Sequence, residues 1–231
     1  MGVILRRRVD KIDEDFQDNK SSYVNEIAYN KSAIIFKLLS SLVNARISLN
    51  FIMQNINDND TKQINLKSNS DISTKRLAGN LIEAFVIKFL TEKNIINDSN
   101  INSNSSPDFS YDNVNFEIKA YYNNISNLSL GRFDTIKDGL LSDVDNRYKN
   151  MTAIIFKYDI DANSNEIIIK RLDVIPFIFL INKNFMLKGG GSTQVRAGNY
   201  STGNKEDYNK LLNELRNILN AKNKENTSND K

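Results

Sequence analysis

The chain has 231 residues, of which 40% are hydrophobic and 26% charged, and its net charge is +3. This composition is ordinary for a globular protein, and the length suits one sizeable domain. The sequence contains no Cys and no His, which excludes disulfides, thiolate nucleophiles, imidazole metal sites and the Ser-His-Asp triad. Any catalysis would depend on carboxylates, Lys, Tyr, Ser or Thr, and any metal would be a hard cation with oxygen ligands, such as Mg²⁺.

The sequence favours a soluble, cytoplasmic protein with no membrane partner. No apolar segment follows Arg6, Arg7 and Arg8, so we expect no secretory signal. The most apolar run, residues 174–181, is far shorter than the ~20 residues that a membrane-spanning helix needs, and it contains Pro176. The mildly basic charge permits a nucleic-acid partner without requiring one.

Amphipathic helices are predicted in the first hundred residues. Residues 1–20 are charged and show no periodicity, whereas apolar residues recur at three-to-four spacing from Tyr23 to Ile56, which predicts one or two helices. A polar loop is expected over 57–73. Residues 77–93 then carry apolar side chains on one stripe, which predicts a further helix, and this helix contains Glu83.

A tight hairpin is predicted in the segment SPDFSYDNVNFEIK, residues 106–119. Asp112 and Asn113 tolerate positive φ, so they predict a two-residue type I′ turn. In that register Phe109 faces Phe116 and Asp108 faces Glu117. Opposed carboxylates destabilise a sheet unless a cation or a proton relieves their repulsion.

The alternation along the second strand indicates a polar patch. Asp108, Glu117 and Lys119 are expected on the face opposite to the core, because side chains alternate between the two faces of a strand. Two carboxylates about 5 Å apart can share a Mg²⁺. Lys119 would hold or deprotonate a water bound there. The alternative is an ordinary ion pair on a solvated strand face.

The rest of the chain completes an α/β (α+β) pattern. Strands are predicted over Met151–Tyr158 and Glu166–Val174, joined by a turn at 161–165, and a further strand over 177–188. A closing amphipathic helix is expected over 208–219, followed by a disordered tail from 220 to 231. Residues 1–219 are therefore predicted to form a single domain with a mixed central β-sheet flanked by helices.

Pro107-Asp108 followed by Glu117-Ile118-Lys119 resembles the PD-(D/E)xK motif of restriction-type nucleases. The resemblance implies a restriction-endonuclease-like core, with Mg²⁺ held by Asp108, Glu117 and the carbonyl of Ile118, and with Lys119 acting on the attacking water. It also implies an acidic residue on the preceding helix that is aimed at the metal, a role for which Glu83 is placed. The alternative for Glu83 is a solvated helix acid.

The segment KGGGSTQVR, residues 188–196, resembles the glycine-rich recognition loop of the EcoRV-like, blunt-cutting branch. Three glycines let the backbone approach a partner closely, and the polar side chains around them can contact base edges or phosphates. The alternative is a flexible hairpin tip. The DNA-contacting residues expected here are Lys188, Gly189, Gly190, Gly191, Ser192, Thr193, Gln194 and Arg196. Lys75 and Arg76 are expected to contact phosphates, with charged surface as the alternative.

The resemblance thus implies a homodimeric type II restriction endonuclease of the EcoRV-like branch. It would hydrolyse, with Mg²⁺, phosphodiesters in a short palindromic site of double-stranded DNA and leave 5′-phosphate and 3′-hydroxyl ends, blunt by the glycine-loop resemblance. The helices of residues 23–56 would pack the dimer, a plain core role being the alternative. Two other functions stay open, namely a DNA repair or junction-resolving nuclease of the same fold and a non-catalytic DNA-binding module.

Overall fold

The computed structural model describes residues 20–23, 25–48, 72–101, 107–123, 127–132, 151–180, 186–188 and 192–196, with single positions at 210, 213, 214, 217 and 220. In these ranges the helices are α1 (Glu26–Ser40), α2 (Ile72–Glu92) and α3 (Phe177–Leu180). The strands are β1 (Arg46–Ser48), β2 (Phe109–Tyr111), β3 (Val114–Tyr122), β4 (Asn127–Arg132), β5 (Met151–Asp161), β6 (Glu166–Pro176), β7 (Met186–Lys188) and β8 (Ser192–Arg196). Short 3₁₀ turns occur at Lys20–Ser22 and Asp98–Asn100.

A five-stranded sheet in the order β1-β6-β5-β3-β2 forms the centre of the fold. β3 and β5 run parallel, and the other neighbours are antiparallel. The sheet is therefore mixed, and the predicted α/β class is confirmed. β5 lies in the middle, and residues 151–156 are all buried. α1 packs against β6 and β3, and α2 packs against β3.

The first predicted helical region contains a helix and a strand. α1 begins at the N-cap Asn25, whose side chain accepts a hydrogen bond from the Ala28 N–H at 2.7 Å. Asn44 has a φ of 67°, and its N–H donates to the Ile169 carbonyl of β6. Residues 46–48 then form β1 rather than helix, because pairing with β6 overrides their apolar spacing. The prediction of helix was wrong for these three residues.

The second predicted helix is confirmed as α2, which begins five residues earlier than its apolar stripe indicated. The buried side chains that face the sheet are Ala78, Leu81, Ile82, Val86 and Leu90. Gly79 is buried, and a Cβ added there would lie 3.6 Å from the Ala120 carbonyl oxygen of β3, so α2 lies close to that strand. After α2, Asn94 has a φ of 55°, in the left-handed region where chains commonly leave a helix.

The hairpin prediction is confirmed in its turn and in the register of β2 with β3, but the predicted pairing of Asp108 with Glu117 was wrong, because the ladder ends at Phe109 and Phe116. Asp112 and Asn113 have φ values of 47° and 66°, as a type I′ turn requires. Phe109 pairs with Phe116, and their rings are stacked with centroids 4.9 Å apart. The hairpin thereby fixes how the residues before β2 lie beside β3.

The strands after residue 150 differ in part from the prediction. β5 and β6 extend past their predicted ends, and Asn165, at the end of the predicted turn between them, has a φ of 57°. Phe177–Leu180 was predicted as strand but forms the buried helical turn α3. A short apolar run cannot distinguish a buried strand from a buried helical turn, which explains this error. Met186–Lys188 is strand, as predicted.

A second sheet has the order β4-β8-β7 and is antiparallel throughout. β4 was not predicted. β7 and β8 pair in antiparallel orientation, with Lys188 opposite Ser192. Gly189, Gly190 and Gly191 lie outside the described residues.

Helical backbone occurs at the described positions 210, 213, 214, 217 and 220, all of them exposed. They agree with the closing helix predicted over 208–219, and position 220, the first residue of the predicted disordered tail, is helical as well. The predictions for residues 1–19, 49–71 and 221–231 lie outside the described residues. No helix in the described ranges is long and apolar enough to cross a membrane.

The turn at Asp112 and Asn113 gives a stability prediction. We expect Asn113→Ala to lower the free energy of unfolding by about 1 kcal/mol, because a left-handed φ disfavours a Cβ without a compensating polar group. Asn113→Gly should keep or raise it. Urea unfolding measures both. Asn163, in the β5–β6 turn but not among the residues of positive φ, is the control, and its Ala and Gly variants should not show this order. Equal stability of the two Asn113 variants would contradict the prediction.

Candidate active site

Asp108 lies beside β3, immediately before β2. Its N–H donates to the Phe116 carbonyl at 2.9 Å, and its Oδ2 accepts a hydrogen bond from the Ile118 N–H at 2.5 Å. The β2–β3 ladder ends with Phe109 opposite Phe116, so Asp108 does not continue it as a strand residue facing Glu117. Its carboxylate instead lies at the edge of β3, held by a backbone donor of that strand.

Glu117 and Lys119 form a buried ion pair on β3. Glu117 is only 5% exposed, and Oε1 lies 2.5 Å from the Nζ of Lys119, whose side chain is 18% exposed. Oε2 of Glu117 is buried and has no hydrogen-bond partner among the described residues. The pair is therefore not the solvated surface pair of the alternative interpretation. Since buried polar atoms are normally satisfied, Oε2 needs an explanation.

Glu83 reaches the same place from α2. Its carboxylate accepts a hydrogen bond from the Ala120 N–H, and it interacts electrostatically with Lys119, Asp108 and Glu117. Glu83 is half-buried, so it is not a solvated acid of the outer helix face. The structure therefore brings together all four acidic and basic side chains that the sequence singled out for catalysis.

The edge of β3 orients two of these acids. The Ile118 N–H donates to Asp108, and the Ala120 N–H, two residues further along the strand, donates to Glu83. Alternate residues of a strand direct their N–H and C=O groups to the same side. The Ile118 carbonyl therefore faces the edge at which Asp108 and Glu83 are held.

Burial and mutual repulsion change the acidity of the group. Burial, followed by the repulsion from Glu117, raises the pKa of Asp108 to about 6. Burial raises the pKa of Glu83 to about 7, against the attraction of Lys119 and with added repulsion from Asp108 and Glu117. Burial also acts to lower the pKa of Lys119, but the three surrounding acids outweigh it, and this pKa lies above its ordinary value. The Lys119 side chain is therefore a stable ammonium while these acids surround it.

The charges of this group fit a divalent cation. If all three carboxylates are ionised against one ammonium, two negative charges are left uncompensated. Within the described residues, no three acidic side chains form a preformed metal cage. Mg²⁺, however, is usually held by one or two carboxylates and keeps several waters. The partnerless Oε2 of Glu117 and the carboxylate of Asp108 are oxygen donors of the right kind.

Tyr158 of β5 is a neighbour of the site that sequence reasoning missed. It is 1% exposed, its hydroxyl is 3.7 Å from a Cβ built at Gly79, and its pKa is raised by burial and then by Glu83. Its ring lies against Tyr122, with centroids 6.0 Å apart. Tyr122 and Tyr158 are paired in the parallel β3–β5 register. No local motif marks Tyr158, because only that long-range pairing brings it to β3.

The predicted DNA-contacting residues are only partly described. Lys75 and Arg76 belong to α2 and precede Glu83 in the sequence. Lys188 ends β7, and Ser192, Thr193, Gln194 and Arg196 belong to β8.

No protein-family model matches this chain, and a search of curated proteins finds no significant match. The function proposed below therefore rests on the geometry of the site.

The raised pKa values of Asp108 and Glu83 predict how stability depends on pH. A carboxyl whose pKa is higher in the folded state than in the unfolded state stabilises the fold at pH values below its unfolded-state pKa. This stabilisation is lost as the pH rises through the folded-state pKa. In EDTA, the free energy of unfolding should therefore fall between pH 4 and 8, through the pKa values of about 6 and 7. Glu83→Gln should remove about 3 kcal/mol of this fall, since the pKa of Glu83 is raised from 4.5 to about 7 and one pKa unit corresponds to about 1.4 kcal/mol.

Urea unfolding at several pH values measures this dependence. The matched control is Glu92→Gln, which changes an exposed acid on the same helix. Its free energy of unfolding should fall with rising pH as much as that of the unmodified protein. If Glu83→Gln and Glu92→Gln gave the same pH profile, Glu83 would not be held in this buried cluster.

Proposed function

We propose that this protein is a Mg²⁺-dependent endonuclease with a restriction-endonuclease-like core, which hydrolyses phosphodiesters in double-stranded DNA. The observation that carries the proposal is the buried Oε2 of Glu117, which has no partner among the described residues while Oε1 is paired with Lys119. Leaving a buried charged oxygen unsatisfied costs stability. A cation that binds there would relieve this cost and the repulsion from Asp108 and Glu83.

Asp108, Glu117 and the Ile118 carbonyl would hold the Mg²⁺. When bound, the ion would stabilise negative charge on the phosphate and on the leaving oxygen. The Ile118 N–H orients the Asp108 carboxylate, and the Ala120 N–H orients Glu83. These backbone donors belong to one strand, so the positions of the acids are coupled to the position of Lys119.

In this proposal Lys119 would act on the attacking water. Its pKa depends on the acids around it, because burial alone would lower this pKa and the acids raise it. Once a bound cation compensates the charge of the acids, the Nζ would lose its proton to solvent and then accept one proton from the attacking water. The hydroxide so formed would attack phosphorus while the bond between phosphorus and O3′ breaks, and O3′ would take a proton from solvent, which yields 5′-phosphate and 3′-hydroxyl ends.

We further propose a type II enzyme, a homodimer that cuts both strands of a short palindrome. Twofold protein symmetry would place one site at each scissile phosphate. α1 exposes Ile27 and Ile34, which are 61% and 39% exposed and lie seven residues apart on one helix face. We assign this exposed pair to the contact between protomers, in agreement with the role expected for residues 23–56.

The nuclease proposal predicts cleavage of plasmid DNA in the presence of Mg²⁺. The products should be discrete fragments, and sequencing should show 5′-phosphate and 3′-hydroxyl ends, blunt if the glycine-loop resemblance holds. Lys119→Ala should slow cleavage by about 10²–10⁴-fold, as loss of a group that transfers a proton does, while DNA binding is retained. Lys170→Ala, at an exposed position on β6, is the control and should cut at the normal rate.

Other outcomes would point to the two rival functions. Cutting only at branched junctions would favour a repair or junction-resolving nuclease of the same fold. Binding of DNA without cleavage by Mg²⁺ or Mn²⁺, together with an unchanged phenotype of Lys119→Ala, would contradict the enzyme and favour a DNA-binding module.

The dimer proposal gives a separate prediction. Ile27→Gln combined with Ile34→Gln should convert the dimer into a monomer, because the change removes the exposed apolar pair of α1. Light scattering after size-exclusion chromatography measures the mass. Lys88→Gln with Glu92→Gln, an exposed pair on α2, is the control and should stay dimeric. A monomeric unmodified protein, or a double Ile variant that stays dimeric, would contradict this assignment.

A further inference from the structure

Tyr158 connects the middle strand of the main sheet to the helix that carries Glu83. It lies on β5, beside β3, and its side chain is only 1% exposed. Gly79 of α2 is also buried, and a Cβ built there would lie 3.7 Å from the Tyr158 hydroxyl oxygen and 3.6 Å from the carbonyl oxygen of Ala120 on β3. The same hydroxyl oxygen accepts a hydrogen bond from the Gly79 N–H. The Tyr158 side chain therefore extends from β5 to the backbone of α2.

Glu83 lies on the side of α2 that Tyr158 contacts. Residues four positions apart are neighbours on one face of a helix, and helical side chains lean toward the N-terminus of their helix. The Glu83 side chain therefore extends over the turn that contains Gly79. Its carboxylate accepts a hydrogen bond from the N–H of Ala120, the residue whose carbonyl oxygen and Cβ lie against Gly79. The Glu83 carboxylate and the Tyr158 hydroxyl thus meet beside the same two small residues.

The Tyr158 hydroxyl stays protonated beside this acid. Burial, and after it the negative charge of Glu83, raises the pKa of Tyr158. The phenol therefore keeps its proton when Glu83 is ionised. A hydroxyl hydrogen rotates to suit its surroundings, so the O–H dipole can turn toward a carboxylate, and a buried dipole interacts with a charge more strongly than one in water.

Packing holds Tyr158 in place. Its main chain pairs with Tyr122 in the parallel β3–β5 ladder, and its carbonyl accepts a hydrogen bond from the Asn123 N–H at 2.7 Å. The rings of Tyr158 and Tyr122 meet edge to face, with centroids 6.0 Å apart, which is a favourable arrangement for two aromatic rings. A side chain that is fixed in this way can orient a neighbouring group.

We propose that Tyr158 is a positioning residue of the candidate active site, whose hydroxyl holds Glu83 of α2 at the edge of β3. The inference rests on the proposed function and deepens it, because Glu83 is the acid that α2 adds beside the proposed Mg²⁺ ligands. In this role Tyr158 contacts neither the ion nor the phosphate and acts through Glu83 alone. The Ala120 N–H orients Glu83 from the strand, and Tyr158 fixes it from the side of the helix.

A double-mutant cycle in EDTA tests the interaction without metal or DNA. Urea unfolding is measured at pH 8, above the pKa of about 7 of Glu83, for Tyr158→Phe, for Glu83→Gln and for the double variant. The double variant should be more stable than the two single effects together predict, because the interaction can be lost only once. We expect a coupling of about fivefold in the unfolding equilibrium constant, as for side chains in contact.

Tyr23→Phe is the matched control for this cycle. Tyr23 is 3% exposed, and its hydroxyl donates to the Val174 carbonyl at 2.9 Å, so the change also removes a buried hydroxyl. Its effect on stability should add to that of Glu83→Gln without coupling. Additive effects of Tyr158→Phe and Glu83→Gln would overturn the inference.

Cleavage kinetics separate positioning from a purely structural role. Tyr158→Phe should lower kcat for plasmid cleavage with Mg²⁺ by about tenfold, since a small misplacement of a group at a reacting centre is costly, and should leave KM for DNA unchanged. Tyr23→Phe should keep the normal kcat. A normal kcat of Tyr158→Phe, or an equal loss in both variants, would overturn the inference.

The inference and the nuclease proposal fail in different ways. If the nuclease proposal were wrong, the unmodified protein would not cut DNA, and the cycle in EDTA would still decide whether Tyr158 holds Glu83. If the inference were wrong and the nuclease proposal right, Tyr158→Phe would cut like the unmodified protein while Lys119→Ala would not.

Discussion

The Glu117–Lys119 ion pair is the interaction on which the candidate site depends. Both side chains are largely removed from water, and the ammonium lies 2.5 Å from one carboxylate oxygen while the other oxygen has no partner in the described part of the chain. Removing an ion pair from water costs several kcal/mol per ion, and half-satisfied groups keep much of that cost. The raised pKa values of Asp108 and Glu83 follow from the same burial and from the negative charge concentrated around Lys119.

β3 arranges the group with its backbone as well as with its side chains. Glu117 and Lys119 project from the strand, whereas the N–H groups of Ile118 and Ala120 hold Asp108 and Glu83 at its edge. This edge is available because β2 pairs only with residues 114–116. A longer β2 would have paired these N–H groups with carbonyls, and Asp108 would have stayed in the ladder. Because the hairpin is short, the N–H groups at this edge of β3 are available to bind carboxylates.

The sequence allowed the local part of this arrangement to be predicted. Turn chemistry at Asp112 and Asn113 set the hairpin register, and the apolar stripe of α2 located Glu83. The rest depends on contacts between distant segments. β1 forms because β6 pairs with it, Tyr158 reaches the site through the β3–β5 pairing, and no motif marks β4. The hydrogen bond from the Ile118 N–H to Asp108 also could not be predicted. Alternation rules assign side chains to the faces of a sheet, but they do not show when a side chain turns to the edge of a strand instead.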